Sequence, residues 1–139
     1  MNLIRAARRF GELDRPERRV LLRALLVVSG ARGALPLLSL RRVRALAGLL
    51  AGRPSPRRSA PPGRIRWAVE AASLRVPGAR CLVRAVAAEA MLRAAGHPST
   101  LLLGVDRRDG DLDAHAWVES GGQVVIGGDV HRYARVVVE

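Results

Sequence analysis

The chain has 139 residues, which is enough for one globular domain and short of two. Hydrophobic residues make up 49% and charged residues 26%, so the composition is that of a folded domain and not of a disordered segment. The 24 basic residues, all of them arginine, outnumber 12 acidic residues and leave a formal net charge of +12. The single cysteine excludes an internal disulfide framework and zinc sites built from two or more cysteines.

The most hydrophobic stretch, residues 20–40, does not predict a membrane span. Arg23 and Arg32 interrupt it and glycines and a proline break it, so it contains no run of about 20 apolar residues. The basic amino terminus lacks the apolar core and cleavage site of a secretory signal. We expect a cytoplasmic protein. Peripheral contact of a basic amphipathic helix with a membrane is the less favoured alternative.

Residues 1–51 are predicted to form an N-terminal helical segment with two helices. Asp14 is the expected N-cap of the first helix, and Pro16 occupies its first turn. Gly30 and Gly33 are predicted to end this helix. Both helices are strongly apolar, so at least one face of each should be covered.

The second of these helices is expected over residues 37–50. Residues 52–64 contain four prolines among arginines and serines and predict a mobile linker. The division of the chain is therefore an N-terminal helical segment, this linker and a C-terminal core of residues 65–139.

The C-terminal core is predicted to be an α+β unit in which a central helix packs on an antiparallel meander. The central helix should begin near Cys81 and end at Ala95, with Gly96 as its C′ residue. A short helix over residues 67–74 precedes it. Alternating apolar residues and Gly-rich turns predict strands over residues 100–105, 113–119, 123–126 and 134–138.

Cys81 is the first candidate for chemistry. It stands at a predicted helix start, directly after a turn at Pro77 and Gly78 and next to Arg80. Free backbone N–H groups at such a position stabilise a thiolate and would bind an oxyanion. The alternative is that this cysteine is a small core hydrophobe, which is the commoner role of a lone helical cysteine.

His115 and Asp129 are the candidate partners of this cysteine. His115 lies on an alternating strand, whereas His97 and His131 lie in a helix exit and a polar turn. A hairpin loop over residues 120–122 would pair His115 with Gly127 and place Asp129 one diagonal further, about 7–8 Å away. The alternatives are a structural histidine and an aspartate that caps a turn, and a one-residue slip would turn Asp129 away.

Cys81, His115 and Asp129 in this order predict thiolate chemistry. A metal site would need Cys81 and His115 to converge with His131 or Asp129, and nothing in their spacing favours it. No metal or other cofactor is expected.

Three segments carry a resemblance to a known family. The sequences RVPGARCLVRA at 75–85, LRAAG at 92–96 and AHAWVE at 114–119 resemble the lasso peptide maturation proteases. These are the stand-alone protease halves of the split B protein, and they are related to the C-terminal domain of the microcin-processing protein in the transglutaminase-like superfamily. The resemblance covers residues 65–139, and the N-terminal helices also resemble those that precede the protease unit.

The resemblance implies a papain/transglutaminase-like core and a cysteine protease that removes the leader from a ribosomally made precursor peptide. Cys81 would be the nucleophile, His115 the general acid and base, and Asp129 the third triad member. The sequence departs from the commoner pattern, because Gly127 and Gly128 stand where many relatives place an Asx or acidic residue.

The resemblance also implies partners. The first sixty residues are too short and too helical for the winged-helix domain that binds the leader in fused relatives, so a separate leader-recognition protein is expected. The released core peptide would pass to an ATP-dependent macrolactam synthetase, the lasso cyclase. The apolar faces of the N-terminal helices are the candidate docking surface for the leader-recognition protein or for the synthetase.

Two alternatives remain. The same three residues would serve a transglutaminase-like acyltransferase, which differs only in the nucleophile that reaches the thioester. The net charge of +12 suggests a basic nucleic-acid-binding module, but no helix-turn-helix or aromatic motif supports it. Nucleic acid is therefore not expected as a partner, and attraction of an acidic leader or partner protein is the simpler use of the charge.

Overall fold

The computed structural model describes residues 3–54 and 60–137, which form five helices followed by a four-stranded antiparallel sheet. The predicted α+β class is confirmed. The helices are α1 (Leu3–Glu12), α2 (Arg15–Ala34), α3 (Leu40–Ala51), α4 (Pro62–Ser73) and α5 (Cys81–Ala94). The strands are β1 (Thr100–Arg108), β2 (Asp111–Ser120), β3 (Gln123–Ile126) and β4 (Ala134–Val137).

Helix α2 begins as the sequence predicts and ends later. The Asp14 carboxylate accepts the Glu17 N–H at 2.9 Å, and the Glu17 side chain accepts the Asp14 N–H at 3.4 Å, so a capping box starts the helix. The prediction that Gly30 and Gly33 end the helix was wrong, because it continues to Ala34. A Cβ at Gly30 would overlap the side chain of Leu50, so this glycine allows α3 to approach α2 closely.

Helices α2 and α3 share one hydrophobic core with the rest of the chain. Val27 of α2, Val43 of α3, Val69 of α4 and Val86 of α5 are all fully buried in the same cluster. Helix α4 begins within the segment predicted as a linker, of which residues 55–59 lie outside the described residues. The burial of α2 and α3 against α5 therefore contributes directly to holding α5 in place.

A buried ion pair joins α3 to α5. Arg44 donates two hydrogen bonds to the Glu89 carboxylate, at 2.9 and 2.8 Å, and Arg93 lies 3.5 Å from the same group. The hydrogen bond to Glu89 raises the pKa of Arg44 above its usual value. Glu89 is only 3% exposed, so its charge is balanced almost entirely by these guanidinium groups.

The strand order is β3-β2-β1-β4. The predicted meander is correct for the first three strands, but β4 crosses over and pairs with β1 instead of following β3. One face of the sheet, with Ala116 and Val118, packs in the core that contains α5. The opposite face carries a smaller cluster of Leu102, Trp117 and Tyr133.

The β2–β3 hairpin has a different register from the predicted one. Gly121 and Gly122 both have positive φ and form a two-residue loop, whereas a three-residue loop was expected. A bulge then shifts the pairing, since Glu119 lies opposite Val124 but Val118 lies opposite Ile126. The strand residues beyond the bulge are displaced by two positions from the prediction.

Candidate active site

Cys81 is the first residue of α5, as the sequence predicts, and it is partly exposed. The N-cap residue, Arg80, makes no side-chain hydrogen bond to the first turn. The Arg80 N–H donates to the Gly78 carbonyl oxygen at 2.9 Å. The first hydrogen bond of the helix runs from the Arg84 N–H to the Arg80 carbonyl oxygen at 3.0 Å. The backbone N–H groups of residues 81–83 therefore have no helical acceptor and are available to an anion.

The turn in front of Cys81 is held by α2. The Arg32 guanidinium donates to the Pro77 carbonyl at 3.1 Å. Gly78 has φ +79, and a Cβ there would lie within 3 Å of the guanidinium of Arg32. The guanidinium of Arg32 therefore occupies the space that a side chain at position 78 would need, and helix α2 contributes to the placement of Cys81.

The imidazole of His115 is oriented by a backbone carbonyl. Its Nε2 lies 2.6 Å from the carbonyl oxygen of Gly127. Because a carbonyl oxygen only accepts, Nε2 carries the proton, and Nδ1 is the acceptor nitrogen of the neutral ring. Gly127 has φ +123, and a Cβ there would overlap the Trp117 side chain and lie 3.4 Å from Nε2. Only glycine allows the backbone to lie this close to Trp117, and this position brings the Gly127 carbonyl to the His115 imidazole.

Two aromatic rings restrain the same imidazole. The rings of His115 and Tyr133 are stacked with centroids 5.1 Å apart, and the Trp117 ring lies 6.1 Å away. The Tyr133 hydroxyl donates to Asp113 at 2.8 Å and accepts from Arg132 at 2.6 Å. Tyr133 is therefore fixed at both its ring and its hydroxyl, and it limits the movement of His115.

Cys81 and His115 line one small cavity of about 170 Å³ between α4, α5 and the β2–β3 hairpin. Arg66 and Glu70 of α4 form an ion pair at its edge, with 3.2 Å between guanidinium and carboxylate. Arg84 contributes a second guanidinium. The remaining lining residues are Ala116, Ile126, Gly127 and Gly128.

Asp129 is not joined to this pair. Its carboxylate accepts the His131 N–H at 3.2 Å, as a turn aspartate does, and it does not line the cavity. Strand β3 ends at Ile126, so the strand pairing on which its predicted position rested does not extend to residue 129. The role of Asp129 as third triad member stays a prediction.

The other histidines have different surroundings. His97 Nε2 lies 2.7 Å from the Ala60 carbonyl oxygen and joins the loop after α5 to the segment before α4, while His131 is exposed. Among residues 3–54 and 60–137, no three His, Cys, Asp or Glu side chains are grouped so that they would hold a metal ion. In the same part of the chain, no helix combines the length and hydropathy needed to cross a membrane.

A family model described as the transglutaminase-like superfamily matches residues 22–138. The chain belongs to the transglutaminase-like superfamily. The papain/transglutaminase-like fold expected from the sequence is thereby confirmed, and the match extends through α3 into α2, well before residue 65. No curated protein and no solved structure matches the chain.

The transglutaminase-like superfamily includes cysteine peptidases and acyltransferases, and the cavity is chemically suited to both. The cavity holds a thiol, an imidazole whose Nδ1 has no partner among residues 3–54 and 60–137, and helix-start N–H groups that lack an acceptor in the same ranges. These are the parts that acyl transfer through a thioester requires. Sequence reasoning missed Arg84 and Tyr133. The position of Arg84 three residues after Cys81 could have indicated it, whereas Tyr133 reaches His115 only through the crossover to β4.

Proposed function

We propose that this protein is the leader peptidase of lasso peptide biosynthesis, a cytoplasmic cysteine protease that cuts the leader from a ribosomal precursor peptide. The observation that carries the proposal is the shared cavity of Cys81 and His115, with the cysteine at a helix start. Membership of the transglutaminase-like superfamily supports the chemistry. The resemblance of the three sequence segments to the maturation proteases supports the choice of substrate.

The proposed reaction begins with proton transfer from the Cys81 thiol to Nδ1 of His115. The thiolate attacks the carbonyl carbon of the leader–core bond, and the N–H groups of residues 81–83 bind the oxyanion. The imidazolium then gives its proton to the departing amine of the core peptide, and a thioester remains on Cys81. Water, deprotonated by Nδ1, hydrolyses the thioester and releases the leader as a carboxylic acid.

The orientation of His115 in this mechanism has two explanations. The sequence predicts that the Asp129 carboxylate orients the imidazole, whereas the hydrogen bonds of the structure favour the Gly127 carbonyl. A backbone carbonyl holds the same tautomer as a carboxylate would, but it places no negative charge beside the imidazolium. We propose that the Gly127 carbonyl performs this role.

Acyl transfer to an amine is the second candidate function, since the superfamily includes acyltransferases. The first steps are the same, and an amine takes the place of water at the thioester. Product masses distinguish the two functions, because hydrolysis adds water to the leader and transfer adds the amine. A transfer product with a peptide amine, at the expense of the free leader acid, would favour the acyltransferase.

The test of the peptidase is mass spectrometry of a precursor peptide incubated with this protein and the leader-recognition protein. One cut at the leader–core junction is expected. Cys81→Ala and His115→Ala should abolish it, and His131→Ala is the matched control because its imidazole is exposed and lies outside the cavity. An intact precursor in the presence of a binding-competent partner, or a cut that survives Cys81→Ala, would refute the proposal.

We further propose that the leader-recognition protein docks on a second, larger cavity of about 820 Å³ beside α2. Leu22 and Leu26, both about half exposed, line it. The ionisable residues in its described lining are all arginines, namely Arg15, Arg19, Arg23 and Arg64. This charge fits an acidic surface with apolar anchors.

Calorimetric titration with the recognition protein tests this docking surface. Leu22→Asp should weaken binding at least tenfold, as truncation of a buried anchor does. Leu49→Asp is the matched control, since Leu49 is 80% exposed on α3 and lies outside the cavity. Equal affinity of the two variants would refute the docking surface and leave the peptidase proposal untouched.

A further inference from the structure

Arg84 carries a charge in the catalytic cavity that the described chain does not neutralise. It lies three residues after Cys81 on α5, so the two side chains share a face of the helix, and both line the cavity. No hydrogen bond or ion pair joins its guanidinium to another residue in the described ranges, and its Nε is buried without a partner. Arg66, the other guanidinium of the cavity, is paired with Glu70.

A buried N–H group without an acceptor destabilises a protein, so an unpaired guanidinium beside a nucleophile is kept only at a cost. With Arg66 and Glu70 balancing each other, the cavity has one net positive charge, that of Arg84. The planar guanidinium offers parallel donors that match the two oxygens of a carboxylate. A carboxylate from outside the chain would match both this charge and this geometry.

We infer that Arg84 forms a subsite for a substrate carboxylate next to the bond that Cys81 attacks. The inference deepens the proposed function and rests on it, because it assigns the substrate class as a peptide with an aspartate or glutamate beside the scissile bond. Three residues of helix rise about 4.5 Å along the axis, which lies between one and two residues of an extended substrate at about 3.3 Å each. A cavity of about 170 Å³ accommodates one such side chain beside the thiol.

The single cysteine allows a direct test with two small reagents, iodoacetate and iodoacetamide. In both, the Cys81 sulfur forms a C–S bond while the C–I bond breaks and iodide leaves with its electron pair. The reagents differ in that iodoacetate carries a carboxylate and iodoacetamide a neutral amide. Because the chain has one cysteine, the intact mass of the full-length protein reports alkylation of Cys81 alone.

The measured quantity is the ratio of the two alkylation rates, iodoacetate over iodoacetamide. Replacing Arg84 with methionine should lower this ratio about 10- to 100-fold, which is the effect of one charge-assisted hydrogen bond. Arg84→Lys should retain part of the preference, since it keeps the charge and loses the planar fork. A change in the thiolate population affects both reagents equally and cancels in the ratio.

Arg41→Met is the matched control, because it removes one exposed positive charge on α3 that lies outside the cavity. Its ratio should equal that of the unaltered protein. Thermal melting should show no loss of stability in Arg84→Met, since the side chain has no hydrogen-bond partner in the described chain to lose. An unchanged ratio in Arg84→Met, or an equal fall in Arg41→Met, would overturn the subsite.

A pair of peptide substrates separates this inference from the proposed function. With glutamine in place of the acidic residue beside the scissile bond, kcat/KM should fall at least tenfold. Cys81-dependent cleavage of both peptides at equal rates would overturn the carboxylate subsite and leave the peptidase standing. An iodoacetate preference that depends on Arg84, with no cleavage of either peptide, would uphold the subsite and refute the peptidase.

Discussion

The orientation of His115 gives the sharpest prediction about the mechanism. Asp129 has one described hydrogen bond, from the His131 N–H at 3.2 Å, in an exposed turn. Its loss in Asp129→Ala should lower the free energy of unfolding by about 1 kcal/mol or less. If the Gly127 carbonyl holds the imidazole, this substitution should change the single-turnover rate of leader cleavage by less than about threefold, because it does not touch the ring.

Gly127→Ala should have the opposite effect on cleavage. The added Cβ would overlap the Trp117 side chain, and a non-glycine residue at φ +123 is strained by about 1–3 kcal/mol. The carbonyl must therefore move away from its 2.6 Å contact with Nε2. A displacement of about 1 Å in a catalytic arrangement costs about 100-fold in rate, and we expect a loss of that size.

The assay is single-turnover cleavage of the precursor with its recognition protein present, with thermal melting of every variant. Asp111→Ala is the control for the loss of one exposed carboxylate, since Asp111 lies at the start of β2 outside the cavity. Removal of a triad carboxylate lowers the rate by about 10⁴-fold. A loss of 100-fold or more in Asp129→Ala, with unchanged melting, would refute the Gly127 explanation and identify Asp129 as the third member.

Three further predictions concern the surroundings of the site. Arg44→Met leaves the buried Glu89 charge with the more exposed Arg93 at 3.5 Å and should lower the free energy of unfolding by about 3 kcal/mol, or the melting temperature by about 10 °C. Arg44→Met combined with Glu89→Leu should recover most of this loss, and additive effects of the two substitutions would contradict the prediction. Arg32→Ala frees the turn before Cys81 and should lower the cleavage rate about tenfold with little change in melting, whereas an unaltered rate would show that the turn holds itself. Tyr133→Phe keeps the aromatic ring against His115 and loses the hydrogen bond to Asp113. Calorimetry should therefore show a loss of about 1 kcal/mol in the free energy of unfolding, and the cleavage rate should change little. A large loss of activity would assign the hydroxyl a direct role.

Interactions close in the sequence were predictable. The N-cap of α2 at Asp14 and the start of α5 at Cys81 each depend on a few consecutive residues, and both lie where the sequence predicts. The alternating pattern of β2 likewise placed His115 on a strand. These features follow from capping, turn geometry and the two-residue period of a strand, none of which needs the rest of the fold.

The amino-acid sequence by itself determined that this is an α+β protein with a cysteine at a helix start and a histidine on a strand. The tertiary structure decided which groups meet around them, because a two-residue loop and a bulge moved the hairpin register and a crossover brought Tyr133 to the imidazole. It also isolated the charge of Arg84 and tied the turn before Cys81 to α2. The bulge and the long-range pairing of β1 with β4 depend on the packing of the whole chain, so no local pattern could have predicted them.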